Sequence, residues 1–225
     1  MNQEFVRQNA RRITRRVLRW GRTHFQSYPW REQTDYWLTL VAEIMLSRTR
    51  ASAVSQVYPK FASRFPTPSS LNRDLEPELA QIMAPLGLSW RVPLVVELAC
   101  ALGSETPPAN PGELQKLPAI GPYVAAAHAS LHRNRRATIV DANVVRWICR
   151  MVGEEAGPET RRQRWLTQLA DLLTPVRSFR DYNYGVLDLS MTVCTPAPRC
   201  DVCPVVQFCA FSVSGSKVSD ENVNR

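Results

Sequence analysis

Four of this chain's six cysteines fall in one short stretch, Cys194-x5-Cys200-x2-Cys203-x5-Cys209. Thiolates so closely spaced suit a closed four-ligand metal site, and spacing alone leaves both a structural zinc and a [4Fe–4S] cluster open. Two carboxylates also stand in unusual places. Glu43 is the one acid among Trp37, Leu38, Leu40, Val41, Ile44 and Met45, where burial is costly unless the group is paired or used. Asp141 follows Ile139-Val140 and precedes the periodic Val144, Val145 and Ile148, the position of an N-cap whose oxygens accept N–H bonds from the first helical turn. Between the two lies Asn110 to Leu131, NPGELQKLPAIGPYVAAAHASL, which reads as a short helix, a tight turn at Pro118-Ala119-Ile120-Gly121 and a second helix opened by Pro122. A helix start presents unpaired N–H groups and suits a phosphate. Taken singly, each feature also has an architectural reading, as a cap or as packing.

The elements that must hold these residues are helices. Glycine is scarce, nine in 225 residues, and apolar residues recur at three- and four-residue spacing, so the chain reads as all-α. One helix is expected from Val6 to Trp20, apolar at Val6, Ile13, Val17 and Trp20 and rich in arginine elsewhere. Tyr28-Pro29-Trp30 breaks it, because the residue before proline is pushed out of the helical region. Further helices are expected at 35–46, 51–65, 76–83 and 91–102, punctuated by prolines. Cys100 and Cys149 fall inside helical patterns and read as buried apolar residues. The polar segment 213–225 reads as a disordered tail.

The chain carries a net charge of +8 and a pI near 9.5. Of its 28 basic residues only Lys60, Lys116 and Lys217 are lysines. A forked guanidinium suits phosphate, although a charge run is by default a solvated face. No apolar run approaches the roughly 18 residues a membrane span needs. The start, MNQEFVRQNARRITRRVLRW, has neither an uninterrupted apolar core nor a small-residue cleavage site, so a cytoplasmic chain without disulfides is expected.

In this order, a helix–hairpin–helix, an aspartate some 20 residues beyond its turn and a C-terminal cysteine loop, the sequence resembles the helix–hairpin–helix DNA glycosylases of the endonuclease III and MutY type. The resemblance runs from Tyr28-Pro29-Trp30-Arg31 through Cys209. It implies two helical domains flanking a DNA-binding cleft: a six-helix barrel over 27–136 containing the hairpin, and a domain of 1–26 and 137–212 holding one [4Fe–4S] cluster on Cys194, Cys200, Cys203 and Cys209. It also implies that Asp141 stays ionised beside the sugar, where a carboxylate stabilises the cationic charge that develops as the glycosidic bond breaks. Glu43, in Ala42-Glu43-Ile44-Met45-Leu46-Ser47-Arg48-Thr49, matches the acid of the MutY-like and thymine-mismatch branches, which protonates the leaving base or orients water.

The same resemblance carries DNA contacts to Ser47 and Arg48, which wedge into the gap left by a flipped nucleotide, and to Ile120, Gly121, Tyr123 and Val124 of the hairpin. Tyr123 replaces the lysine that forms a Schiff base in strand-cutting relatives, and looks most like the glycosylases acting on G·T and G·U mismatches. The implied protein is a monomeric, monofunctional thymine/uracil glycosylase acting on double-stranded DNA. An adenine glycosylase and a non-catalytic DNA-binding protein are the alternatives. Two departures stand out: the hairpin's usual first glycine is Ala119, and Pro122 removes one N–H, which shifts phosphate anchoring toward Arg133, Arg135 and Arg136.

Overall fold

The structure, a computed structural model, describes residues 2–87 and 89–213. Among the described residues every regular element is helical, with no strand. The chain divides into two compact units, one made of Met1–Gln26 with Arg136–Arg225 and the other of Ser27–Arg135. The segment 214–225, most of the expected disordered tail, lies outside the described residues. No helix among the described residues is long and apolar enough to cross a membrane.

The discontinuous unit opens with α1 (Gln3–Gln8) and α2 (Ala10–His24) where one helix was expected. Asn9 causes the break. Its side-chain amide donates to the Phe5 carbonyl at 2.9 Å and its Oδ1 accepts from Arg12 at 3.1 Å, so a short polar side chain competes with the backbone for helix bonds. Val6, Ile13 and Val17 are buried as the pattern requires, and Arg11, Arg12, Arg15, Arg16, Arg19 and Arg22 line the exposed side.

In the continuous unit, α3 (Tyr36–Leu46) is followed by α4 (Ala51–Arg64), α5 (Glu76–Met83), α6 (Val92–Leu102), α7 (Pro111–Leu114) and α8 (Pro122–Ala127). Asp35 starts α3, accepting the Leu38 N–H at 2.9 Å. Every residue from Trp37 to Met45 is buried, so α3 is the central helix, as expected of one apolar on all sides. Cys100, on α6, is exposed, which corrects its reading as a core residue. The alternation on α6 buries Leu98, Ala99 and Leu102 and turns position 100 to solvent.

The discontinuous unit is completed by α9 (Ala142–Val152), α10 (Arg164–Leu173) and α11 (Phe179–Thr192). Helices α2 and α11 touch backbone to backbone at Gly21 and Gly185. A Cβ on Gly185 would lie 3.2 Å from the Val17 side chain and 3.3 Å from its carbonyl, so glycine is what permits the approach. Cys149, on α9, is buried, and burial pushes its thiol up to about 11.

Candidate active site

The hairpin is built from local signals. Asn110 caps α7, its Oδ1 accepting the N–H of Gly112 at 2.8 Å and of Glu113 at 3.4 Å. The turn then needs one residue in the left-handed region, and Ala119 takes it at φ 64°. An L-residue pays roughly 1–2 kcal/mol for that conformation. Gly121 caps α8 with an ordinary φ of −91°, and a Cβ there would meet nothing within 4 Å. Neither backbone conformation nor internal space therefore requires glycine at 121. The predicted contact residues Ile120 and Val124 are core residues, 8% and 4% exposed, whereas Gly121 and Pro122 are exposed and Tyr123 is half-buried against the same core.

Glu43, three residues from the end of α3, is 1% exposed. Its Oε1 lies 2.9 Å from Nε2 of His132, and both side chains are almost wholly withdrawn from solvent. His132 ends a widened turn, His128–His132, that continues α8. The Arg133 N–H there reaches back five residues to the His128 carbonyl at 3.2 Å, the π-type spacing often found at functional positions. That turn places the rings of His128 and His132 5.9 Å apart. His128 Nε2 lies 3.1 Å from the Tyr36 carbonyl, which can only accept, so Nε2 carries the proton. Burial, reinforced by His132 and Arg133, pushes the His128 pKa down to about 3 and keeps this ring neutral. Sequence reasoning passed over His132, since nothing local marks a residue whose partner is 89 positions away.

The loop after α3 holds the two predicted wedge residues. Arg48 is exposed at φ 63°, a second non-glycine residue in the left-handed region, and Ser47 is half-buried as the cap of α3. Buried Arg91 fixes that cap, donating to the carbonyls of Ile44 and of Ser47, the latter at 2.6 Å. Of the arginines expected to anchor phosphate, Arg133 lies over the Tyr36 ring at 3.7 Å and Arg136 pairs with Asp171 at 2.9 Å, while Arg135 is exposed.

Asp141, in the other unit, caps α9 as its sequence position predicts. Oδ1 accepts the Val144 N–H at 2.7 Å, and Oδ2 accepts from Asn143 Nδ2 at 2.9 Å. Asn143 Oδ1 in turn accepts from Arg146 Nη2 at 3.0 Å, and Arg146 Nε donates to the Cys194 carbonyl at 3.0 Å. A continuous line of hydrogen bonds thus runs from Asp141 to the first cysteine of the loop.

Cys194, Cys200, Cys203 and Cys209 line one cavity with Trp147 and Met151. Burial raises the thiols of Cys200 and Cys209 and takes Cys203 up to about 12. Arg150 donates to Cys194 Sγ at 3.4 Å and to the Thr195 carbonyl at 2.6 Å. Among the described residues no trio of His, Cys, Asp or Glu converges on a point that would hold a single metal ion. Four thiols facing one apolar cavity, with a guanidinium beside them, nevertheless fit a group carrying several sulfur ligands and net negative charge.

Residues 41–170 match the HhH-GPD superfamily base excision DNA repair protein family. The chain belongs to the HhH-GPD superfamily. A thymine/uracil-DNA glycosylase of Methanothermobacter thermautotrophicus is 31% identical over 200 residues, covering 87% of this chain and 90% of that protein. An adenine DNA glycosylase of Mycobacterium tuberculosis is 29% identical over 212 residues, 91% of this chain and 69% of that protein. A solved thermostable thymine-DNA glycosylase superposes with a TM-score of 0.84 at 30% identity, over 92% of this chain and 98% of that one. Within the HhH-GPD frame, Glu43 and Tyr123 fall in the continuous unit, while Asp141 and the cysteine loop fall in the other.

Proposed function

We propose that this HhH-GPD protein is a monofunctional DNA glycosylase, acting as a monomer on double-stranded DNA, that removes thymine or uracil opposite guanine by hydrolysing the N-glycosidic bond. The observation that carries the reading is Tyr123 on the first turn of α8, half-buried against the core where a strand-cutting relative has lysine. A phenol has no amine with which to form a Schiff base, so base release stops at an abasic site. The base class is supported by the thymine- and uracil-directed relatives, which this chain matches along nearly their whole length.

In this reading Asp141 stands ionised beside the sugar. Its two bonds come from a backbone N–H and an amide, donors that the carboxylate form satisfies and that cannot take its charge away. Glu43 gives a proton to the departing base, and Tyr123 stacks on or hydrogen-bonds the flipped pyrimidine. Ser47 and Arg48 fill the vacated stack, with Arg48 reading the widowed guanine. Gly121, open on the side where a Cβ would point, lets the hairpin backbone of Ile120 to Val124 approach phosphate.

Cys194, Cys200, Cys203 and Cys209 would hold a [4Fe–4S] cluster, which supplies cross-links within the loop; no step of base release is routed through it. The four cysteines share one cavity, and the resemblance to the endonuclease III and MutY type is what favours iron–sulfur over zinc. The test is single-turnover incubation with T·G, U·G, A·G, A·8-oxoguanine and oxidised-pyrimidine duplexes, read with and without alkali. Alkali-dependent cleavage of T·G or U·G is expected. Strand cutting without alkali, or activity confined to adenine duplexes, would overturn the assignment.

A further inference from the structure

Glu43 is held by a single titratable side chain. Oε1 meets His132 Nε2 at 2.9 Å, and the His132 and Glu43 side chains are 1% and 2% exposed. Solvent is therefore excluded from this contact. A carboxyl oxygen cut off from water needs a donor, and His132 Nε2 is the group within reach of Oε1. The adjacent His128 ring, 5.9 Å away, directs its Nε2–H to the Tyr36 carbonyl and not to Glu43. His132 Nδ1 is buried without a hydrogen-bond partner among the described groups, so Nε2 is the nitrogen through which this ring acts.

We propose that His132 is a positioning residue that works through Glu43, its Nε2–H holding Oε1 so that Oε2 is the oxygen that exchanges a proton with the departing base. This rests on the glycosylase reading of Glu43. In the step, the C1′–N bond breaks and its electron pair leaves with the base. The Oε2–H bond breaks as the base takes that proton. The new charge on Glu43 is met by the Nε2–H, which stays on His132. Water then forms the C1′–O bond, and its proton restores Oε2–H. Neither the hairpin nor the Asp141 cap calls for histidine at 132; the role comes from the widened turn that brings its ring to α3.

The test uses the full chain on a U·G duplex, with single-turnover base release, duplex affinity and thermal unfolding measured for His132→Leu, His132→Gln, Glu43→Gln and the Glu43→Gln/His132→Leu double variant. His132→Leu is expected to slow base release about tenfold or more, part of the roughly 10²–10⁴ that acid catalysis supplies, without weakening duplex binding. His132→Gln, which keeps an N–H donor, is expected to recover most of that loss, and His132→Leu is expected to add no further loss to Glu43→Gln. Equal losses in both backgrounds, no recovery with glutamine, or an unchanged rate in His132→Leu would overturn the proposal.

Should His132→Leu fail to fold, the ¹⁵N spectrum of histidine-labelled unaltered protein decides. The His132 proton is expected on Nε2, shifting when Glu43 becomes Gln, and a proton on Nδ1 alone would overturn the assignment. Absence of base release from every duplex by the unaltered chain would instead overturn the glycosylase reading, and the nitrogen spectrum would still report on the pair.

Discussion

Glu43 and Asp141 are both carboxylates at helix-defined positions, yet their surroundings differ in kind. Asp141 is half-buried, and its hydrogen bonds come from a backbone N–H and the Asn143 amide, neither of which titrates. Glu43 is fully buried in the last turn of an apolar helix, and its partner is the His132 ring, brought from a turn 89 positions away. On the proposed reading the first setting serves a fixed negative charge and the second a proton donor. The two carboxylates are told apart by the chemistry of their donors rather than by their own identity.

The largest expected effect removes the fixed charge and leaves the cap. Asparagine caps a helix as well as aspartate, so Asp141→Asn should keep the unfolding midpoint while losing about 10²–10³-fold in single-turnover base release. A variant that lost stability in proportion to activity would erase the distinction between cap and charge. Next in size is the contrast in stability on truncation. Glu43→Ala leaves a cavity and a buried imidazole N–H without its acceptor and should cost about 3 kcal/mol in denaturant unfolding, whereas Asp141→Ala loses chiefly a cap, about 1 kcal/mol. Equal costs would mean that Glu43 and His132 are not a paired unit.

The same contrast explains how much could be read before the fold was known. Asp141 was legible as a cap because capping spans three residues, and α3 was legible from Asp35 to Leu46 because its start signal and apolar run are local. Glu43 announced itself as an acid out of place, but His132 did not, being brought to it only by tertiary packing and a widened turn. Arg91 was hidden for the same reason, since the carbonyls it holds lie 44 and 47 positions away. Asn9 was missed because the helical pattern on either side of it continues in register, and Cys100 because a helical pattern does not by itself say which face is buried.

A third prediction probes acid sensitivity on the Glu43 side alone. The His128 pKa is pushed down to about 3 from an ordinary 6.5, mainly by burial. The unfolded chain therefore binds a proton that the folded chain refuses between those values. Stability on this account is full above about pH 6.5 and falls as pH drops, by an ideal ~2 kcal/mol between pH 7 and pH 5. Denaturant unfolding at both pH values should show this loss in the unaltered chain and a smaller one in His128→Leu. An identical pH dependence in the two would remove His128 from the account.

The smallest effect concerns the hairpin that leads into the turn carrying His132. Ala119 sits at φ 64°, where its Cβ is strained and glycine is not. Ala119→Gly should relieve that strain against the entropy glycine adds to the unfolded chain, for a net gain of about 1 kcal/mol. The gain should appear in the unfolding of a chain whose Asp141 cap is untouched, and duplex affinity should not fall, because the turn keeps its conformation. A loss of stability would mean that alanine packs at 119 well enough to offset its backbone, and that the departure from glycine is compensated by the core on which Leu117, Ala119 and Tyr123 rest.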